Sequence, residues 1–155
     1  MKRSHYLEIL SHDHFEGLLV AKRLSTGLGR SVDRATLAGY TKFVWNTKLA
    51  PHFRLEEVHL VPLVRAARIP ELVDRVLSEH EQIRDLVAQA ADARSSTQCF
   101  ADLSELLKEH IRFEERDVFP ALERASTDAE LKTLCESLNA DHATDAPEWN
   151  IRFWE

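Results

Sequence analysis

Residues 52–63 read HFRLEEVHLVPL, and residues 110–122 read HIRFEERDVFPAL. Both segments contain His-x-Arg-x-Glu-Glu followed by a proline ten residues after the histidine, so the chain contains an internal repeat. In each copy the first glutamate follows the histidine by four residues, which places both side chains on one face of an α-helix. The repeat indicates two copies of a helix pair related by a pseudo-twofold axis.

Apolar spacing and helix-breaking residues predict a chain made of helices. The 155 residues include only four glycines and five prolines, and no alternating strand pattern is present. We predict four long helices and one short helix, at residues 4–26, 31–65, 70–93, 97–124 and 127–142, with Ser31 or Asp33 as the N-cap of the second. Pro51 lies inside the second of these, and a proline there removes a backbone hydrogen bond. An irregularity is therefore expected just before His52.

Four long helices with short connections typically form an up-down-up-down antiparallel bundle, with the short fifth helix across one end or beside it. The sequence therefore predicts one all-α domain over residues 1–155. Its bundle core covers about residues 5–125, and the short helix and aromatic tail cover residues 127–155. Trp149, Phe153 and Trp154 in the tail either form an exposed patch that mediates a dimer or fold back onto the bundle, and the second arrangement is favoured.

Composition excludes several functions. Lys and Arg number 20 against 26 Asp and Glu, so the net charge of −6 disfavours binding to nucleic acid or to an anionic membrane. No run of 18 apolar residues occurs and no apolar signal segment begins the chain, so we expect a soluble, cytoplasmic protein. Its expected partners are metal ions and small diatomic ligands, and the chain is expected to be a monomer or a homodimer.

Eight histidines are the unusual feature of the composition. Four of them share a helix face with apolar residues three, four or seven positions away and so are predicted to point into the core, one from each long helix: His14, His52, His80 and His110. Glu56 and Glu114 share the faces of His52 and His110. Two carboxylates and four imidazoles are therefore predicted to converge.

Burying two carboxylates without a counter-charge costs several kcal/mol for each, and no Arg or Lys occupies these inward positions. Two metal ions would supply the missing positive charge, with two histidines for each metal and with Glu56 and Glu114 as bridging carboxylates. Imidazole and carboxylate donors without thiolate favour iron or manganese, whereas zinc more often takes a closed tetrahedral site.

These residues resemble the hemerythrin-like, or HHE cation-binding, proteins. The resemblance covers about residues 5–125 and rests on Asp13-His14, on His52-Phe53-x-x-Glu56-Glu57 with Pro62, on Glu79-His80, and on His110-x-x-x-Glu114-Glu115 with Pro120. It implies a four-helix bundle around an oxo- or hydroxo-bridged di-iron centre, with iron preferred over manganese and zinc. By this resemblance, His14 and His52 would hold one iron and His80 and His110 the other.

The oxygen-carrying hemerythrins use a fifth histidine one turn from the third-helix ligand, but the positions at that spacing from His80 are Val76 and Arg84. One metal is therefore expected to lack a protein ligand. Water, an acid such as Glu57 or Glu115, or His59 could fill the position, although Glu57 and Glu115 lie about a quarter turn aside and are more typical of solvated rim charges. His59 forms a ferritin-like Glu-x-x-His with Glu56, but the matching position in the second copy is Asp117, which favours an outer position for His59.

Two functions remain open. The first is a non-haem di-iron binding protein that senses or handles dioxygen, nitric oxide or iron and has no catalytic residue of its own. The second is a di-iron enzyme that acts on peroxide or delivers iron for repair. The sequence favours the first, because it contains no appended output domain and no cysteine-rich delivery domain. A metal-free interaction bundle is the third, structural alternative.

Overall fold

The computed structural model describes residues 4–143 and 145–155. Within these residues all regular structure is helical, which confirms the all-α class. The helices, numbered in chain order, are α1 (a 3-10 turn at His5–Leu7 and an α-helix at Glu8–Gly29), α2 (34–66), α3 (Pro70–Ala91), α4 (98–125) and α5 (Asp128–Asp141). No helix in this part of the chain is long and apolar enough to cross a membrane.

Helix α1 ends later than predicted. Residues 4–26 were expected to end at the glycines, but the helix continues to Gly29, and Ser31 in the left-handed region (φ 56°) ends it. Gly27 lies inside the helix at a point of close approach, where a Cβ atom would come within 2.7 Å of Leu37 and 2.9 Å of Phe153. This glycine therefore allows close packing and does not cap the helix.

The other helix starts follow their capping residues. The Asp33 side chain accepts a hydrogen bond from the Thr36 backbone at the start of α2, and Pro70 occupies the first turn of α3. Thr127 and Glu130 form the predicted capping box at the start of α5. The ends of α2 to α5 lie within about two residues of their predicted positions, and of the two N-caps predicted for α2 the structure uses Asp33.

Three π-helical turns interrupt α2 and α4, at Trp45–Leu49, Glu56–Leu60 and Glu114–Val118. Each of them ends two residues before a proline, at Pro51, Pro62 or Pro120. A proline has no N–H to donate to the carbonyl four residues back, and the residue before it bonds five residues back instead. The irregularity expected before His52 is thus confirmed. The other two turns were not predicted, and each begins at Glu56 or Glu114.

The long helices enclose a polar layer between two apolar clusters. Helix α4 packs against α1 and α3, and α2 packs against α1 and α3. On α1, His14 lies between Leu10 of one cluster and Ala21 of the other, and on α3 His80 lies between Val76 and Ile83 in the same way. Helix α5 covers the first cluster through Leu131, Leu134 and Leu138, beside the start of α1.

The aromatic tail folds back onto α1 and α2, as favoured from the sequence. Trp149, Phe153 and Trp154 each contact the Tyr40 ring, with centroids 5.2 to 5.7 Å apart. The Arg23 guanidinium lies 4.1 Å from the centre of the Trp154 ring. These contacts fix residues 149–154 beside the second apolar cluster.

Candidate metal centre

The polar layer contains the six residues that the sequence predicts to converge. All of them are buried, with between 0 and 7% of their surface exposed: His14, His52, Glu56, His80, His110 and Glu114. Each long helix supplies one histidine, and α2 and α4 each supply a glutamate at the first residue of a π-turn. A π-turn widens the helix locally, and such turns occur frequently at functional sites.

Two groups of four potential metal ligands occur among the described residues, and in each group the donor atoms lie within 4.8 Å of one another. One group consists of His14, His52, Glu56 and Glu114, and the other of Glu56, His80, His110 and Glu114. The two groups share both glutamates. The structure therefore brings all six residues together and divides the histidines into the same two pairs that the family resemblance implies.

The inward atoms of this site approach one another without forming a saturated hydrogen-bond network. His52 Nε2 lies 2.9 Å from Glu56 Oε1, and His14 Nε2 lies 2.9 Å from Glu114 Oε2. Neither contact has hydrogen-bond geometry. Six buried atoms of the site have no hydrogen-bond partner: His14 Nε2, His52 Nε2, His110 Nε2, Glu56 Oε1 and both carboxylate oxygens of Glu114. Buried polar atoms are costly when unpaired, so the donor set fits cations placed between these atoms.

The outward nitrogen of every one of the four histidines contacts a carboxylate. The Nδ1–carboxylate distances are 2.7 Å for His14–Glu115, 3.1 Å for His52–Asp13, 2.8 Å for His80–Glu57 and 2.8 Å for His110–Glu79. An ionised carboxylate accepts the Nδ1 proton, and this fixes the tautomer in which Nε2 carries a lone pair. Each imidazole is therefore oriented with its metal-binding nitrogen toward the centre.

These four acids, Asp13, Glu57, Glu79 and Glu115, form a closed ring around the bundle. The acid on α1 holds the histidine of α2, the acid on α2 holds that of α3, the acid on α3 holds that of α4, and the acid on α4 holds that of α1. Each acid is the sequence neighbour of one inward ligand and contacts the ligand of the next helix. We call this set the acid ring.

Sequence reasoning missed the acid ring. It assigned Glu57 and Glu115 to the solvated rim, but their carboxylates bind His80 and His14. It used the pairs Asp13-His14 and Glu79-His80 as motifs of the family resemblance and not as contacts between helices. The sequence does show an acid directly beside a predicted ligand on each of the four long helices. It does not show which histidine each acid contacts, because that histidine lies on another helix.

The electrostatics of the metal-free chain reflect the excess of acids. Burial alone would raise the pKa of Glu56, yet the surrounding histidines hold this pKa well below its ordinary value. Burial alone would lower the pKa of His52, but Glu56 and Asp13 raise it to about 9. The site therefore stabilises positive charge at its centre.

The charges of the wider cluster can be counted. It contains six carboxylates: Glu56, Glu114 and the four of the acid ring. The guanidiniums of Arg75 and Arg84 contact two of the ring acids. With neutral histidines the six carboxylates give this layer a negative character, and divalent cations at its centre would add the positive charge that such a layer attracts.

The profile of the hemerythrin HHE cation-binding domain matches residues 7–122, which is well over half of the chain. The chain belongs to the hemerythrin HHE cation-binding family. Membership of this family indicates metal binding, and the two His/Glu groups could hold metal ions. Searches of curated proteins and of solved structures returned no significant match.

The HHE domain also shows where the three candidates for the missing fifth ligand lie. The Arg84 guanidinium donates to Glu57 at 2.8 Å, and Glu57 also accepts from His80. Glu115 binds His14 and the Ser11 hydroxyl, and His59 lies 2.6 Å from Asp141 at the end of α5. All three side chains thus have other partners, and none of the three belongs to either ligand group.

Two phenylalanines fix the planes of two imidazoles in the HHE domain. Phe53 stacks on His80 with centroids 3.9 Å apart and an angle of 8° between the rings. Phe119 stacks on His14 at 5.3 Å and 10°. Together with the acid ring, these rings restrict the imidazoles to one orientation before any ligand binds.

A cavity of about 980 Å³ reaches one side of the ligand set. It is lined by residues of α1, α2, α4 and the C-terminal tail, among them His14, His52, His110, Trp149 and Trp154. This volume far exceeds that of a diatomic molecule. The cavity is lined by both histidines of the first ligand group and by one histidine, His110, of the second.

Proposed function

We propose that this HHE domain binds two iron ions and uses them to bind, sense or handle dioxygen, nitric oxide or iron. His14 and His52 would hold one ion, His80 and His110 the other, and Glu56 and Glu114 would bridge them within an up-down-up-down four-helix bundle. The observation that carries this proposal is the convergence of buried Nε2 and carboxylate atoms without hydrogen-bond partners.

The residues of the chain would perform three tasks in this function. The acid ring keeps each Nε2 directed at the centre, and Phe53 and Phe119 hold the ring planes. The two apolar clusters exclude water from above and below the polar layer. Bound iron would supply redox chemistry and an open coordination position for a small ligand.

Iron is proposed over zinc because all six donors are imidazole or carboxylate and neither group contains a cysteine. The donors also exceed the four that a closed tetrahedral zinc site would need. The described part of the chain offers no fifth histidine ligand near His80, because Arg84 occupies that position and binds Glu57. An open position at a metal suits the binding of a small molecule.

A di-iron enzyme acting on peroxide, or one that takes part in iron delivery or repair, is the second candidate. The cavity favours it, since about 980 Å³ provides room for more than a diatomic ligand beside His14 and His52. Nothing in this cavity identifies an organic substrate, and the binding function is therefore preferred.

The test is metal analysis of protein purified without an affinity tag, combined with an absorption spectrum. We expect iron as the main metal and a charge-transfer band from the oxidised centre. Zinc as the main metal, or an iron content unchanged in a His80→Ala variant, would contradict the proposal. Reactivity with dioxygen, nitric oxide and peroxide, measured on the same sample, then separates a binding protein from an enzyme.

A further inference from the structure

Each acid of the ring has a second partner on its outer side. Arg84 donates to Glu57 at 2.8 Å, Arg75 donates to Glu79 at 2.8 Å, and the Ser11 hydroxyl donates to Glu115 at 2.7 Å. These three outer donors belong to the long helices α1 and α3. Each one restrains a carboxylate that in turn restrains a ligand histidine.

The fourth acid, Asp13, receives its outer partner from a different part of the chain. His142 Nε2 lies 2.9 Å from Asp13 Oδ1 and 3.0 Å from Oδ2, so one N–H is shared between both carboxylate oxygens. Asp13 Oδ2 also contacts His52 Nδ1. His142 follows α5 directly and lies outside residues 7–122, the range that matches the family.

We propose that His142 is a positioning residue for the metal held by His14 and His52. Its imidazole fixes Asp13, and Asp13 fixes His52, so the segment after α5 contributes to metal affinity without touching the metal. Sequence reasoning did not find this role, because the acid that His142 contacts lies on α1, 129 residues away in the chain. This inference rests on the proposed metal-binding function.

The link is specific in its geometry. His142 is about one quarter exposed and Asp13 somewhat less, so the bond between them is only partly screened by water. The backbone N–H of His142 separately bonds to the Leu138 carbonyl at 2.9 Å and ends α5. Removing the imidazole therefore leaves the helix end intact and removes only the outer support of Asp13.

A neighbouring contact provides a matched control. Asp141, the residue before His142, contacts His59 on α2 at 2.6 Å and also ties the end of α5 to the bundle. A His59→Ala variant loosens the same helix end and removes the same kind of side chain. Because His59 contacts no member of the acid ring in this structure, its loss reports on loosening of α5 alone.

The experiment measures the retention of ferrous iron under anaerobic conditions against a competing chelator. Direct partners of a metal-bound histidine typically contribute 10- to 100-fold in affinity, and His142 acts one bond further out. We expect His142→Ala to weaken the binding of one of the two ions about 10-fold. His142→Gln keeps an N–H donor and should restore most of this loss, while His59→Ala should match the parent.

A chain that already carries His52→Ala tests whether His142 acts through Asp13 and His52. In a His52→Ala chain the imidazole that Asp13 holds is absent, so His142→Ala should cause no further loss of affinity. The free energy of unfolding of the metal-free chain should be the same for parent and His142→Ala. Both readouts differ from those of a residue that only stabilises the fold.

Each possible result either supports or contradicts the role of His142. Unchanged iron binding in His142→Ala, an equal loss in His59→Ala, or no rescue by His142→Gln would overturn the role of His142 while leaving the proposed function intact. Failure of the parent chain to bind two ferrous ions would overturn both. The predicted pattern of loss, rescue and an unaffected control supports the positioning role.

Discussion

Replacing Glu79 by Gln tests whether the acid ring controls metal affinity. Glu79 is nearly buried, and its carboxylate accepts bonds from His110 Nδ1 and Arg75 Nε, both at 2.8 Å. A glutamine can still accept one bond, but it carries no charge. Charge-assisted hydrogen bonds are roughly twice as strong as neutral ones, so about 1 kcal/mol is lost from the orientation of His110.

The same change also makes the surroundings of the centre one unit less negative. Together the two effects predict a 10- to 100-fold loss of affinity, or about 1.4 to about 3 kcal/mol, for the metal held by His80 and His110. The assay is chelator competition for ferrous iron. Glu105→Gln is the control, because Glu105 is exposed and contacts Lys108 on the outer face of α4. Equal affinities of the two variants would refute the orienting role of the acid ring.

Three further predictions concern stability. Gly27→Ala should lower the free energy of unfolding by about 1 to 3 kcal/mol and shift the tryptophan fluorescence, since the new methyl group collides with Leu37 and Phe153. In the control variant Gly29→Ala the methyl group meets nothing within 4 Å, so this change should be neutral or slightly stabilising. Equal effects of the two variants would contradict this packing. Arg34→Lys should lower the free energy of unfolding in urea by about 1 to 3 kcal/mol, because the guanidinium donates four hydrogen bonds to carbonyls at the end of α3 and in the loop that follows it. An unchanged midpoint would refute that role. Ferrous iron at 100 times its dissociation constant should raise the free energy of unfolding by about 2.7 kcal/mol per ion, which corresponds to a rise in Tm of roughly 10 to 20 °C for two ions. Coincident melting curves with and without metal would contradict binding to the folded chain.

The helices and the inward histidines were accessible from the sequence because both depend on short-range periodicity. Apolar spacing fixes which face of a helix is buried, and His80 with its apolar face-mates illustrates this. The capping residues Asp33 and Thr127 mark helix starts by local hydrogen bonds, which sequence can also show. Family membership is confirmed, whereas the alternating direction of the helices and the identity of the metal stay predictions.

The end of α1 and the acid ring depend on contacts between distant segments, and local patterns do not reveal these. Gly27 looked like a helix stop, but its lack of a side chain makes room for Phe153, which is more than a hundred residues away. Glu57 looked like a solvated charge because it lies a quarter turn from Glu56. Its partner His80 is on another helix, so only the packing of α2 against α3 defines its role.

The π-turns are an intermediate case. Pro51 predicted one of them, and Pro62 and Pro120 carried the same signal in both copies of the repeat. Their positions could have been derived, since each proline removes the donor for a carbonyl four residues back. Counting back six residues from Pro62 and Pro120 gives Glu56 and Glu114, the first residues of two of these turns.

The most direct test of the account is the number of ferrous ions bound per chain, measured by anaerobic titration of metal-free protein and of a Glu114→Ala variant. Glu114 belongs to both ligand groups, so its loss should affect both ions. We expect two ions per chain for the parent and a large loss of both in Glu114→Ala. A parent that binds no iron, or a variant that still binds two ions with the affinity of the parent, would contradict the proposed shared centre.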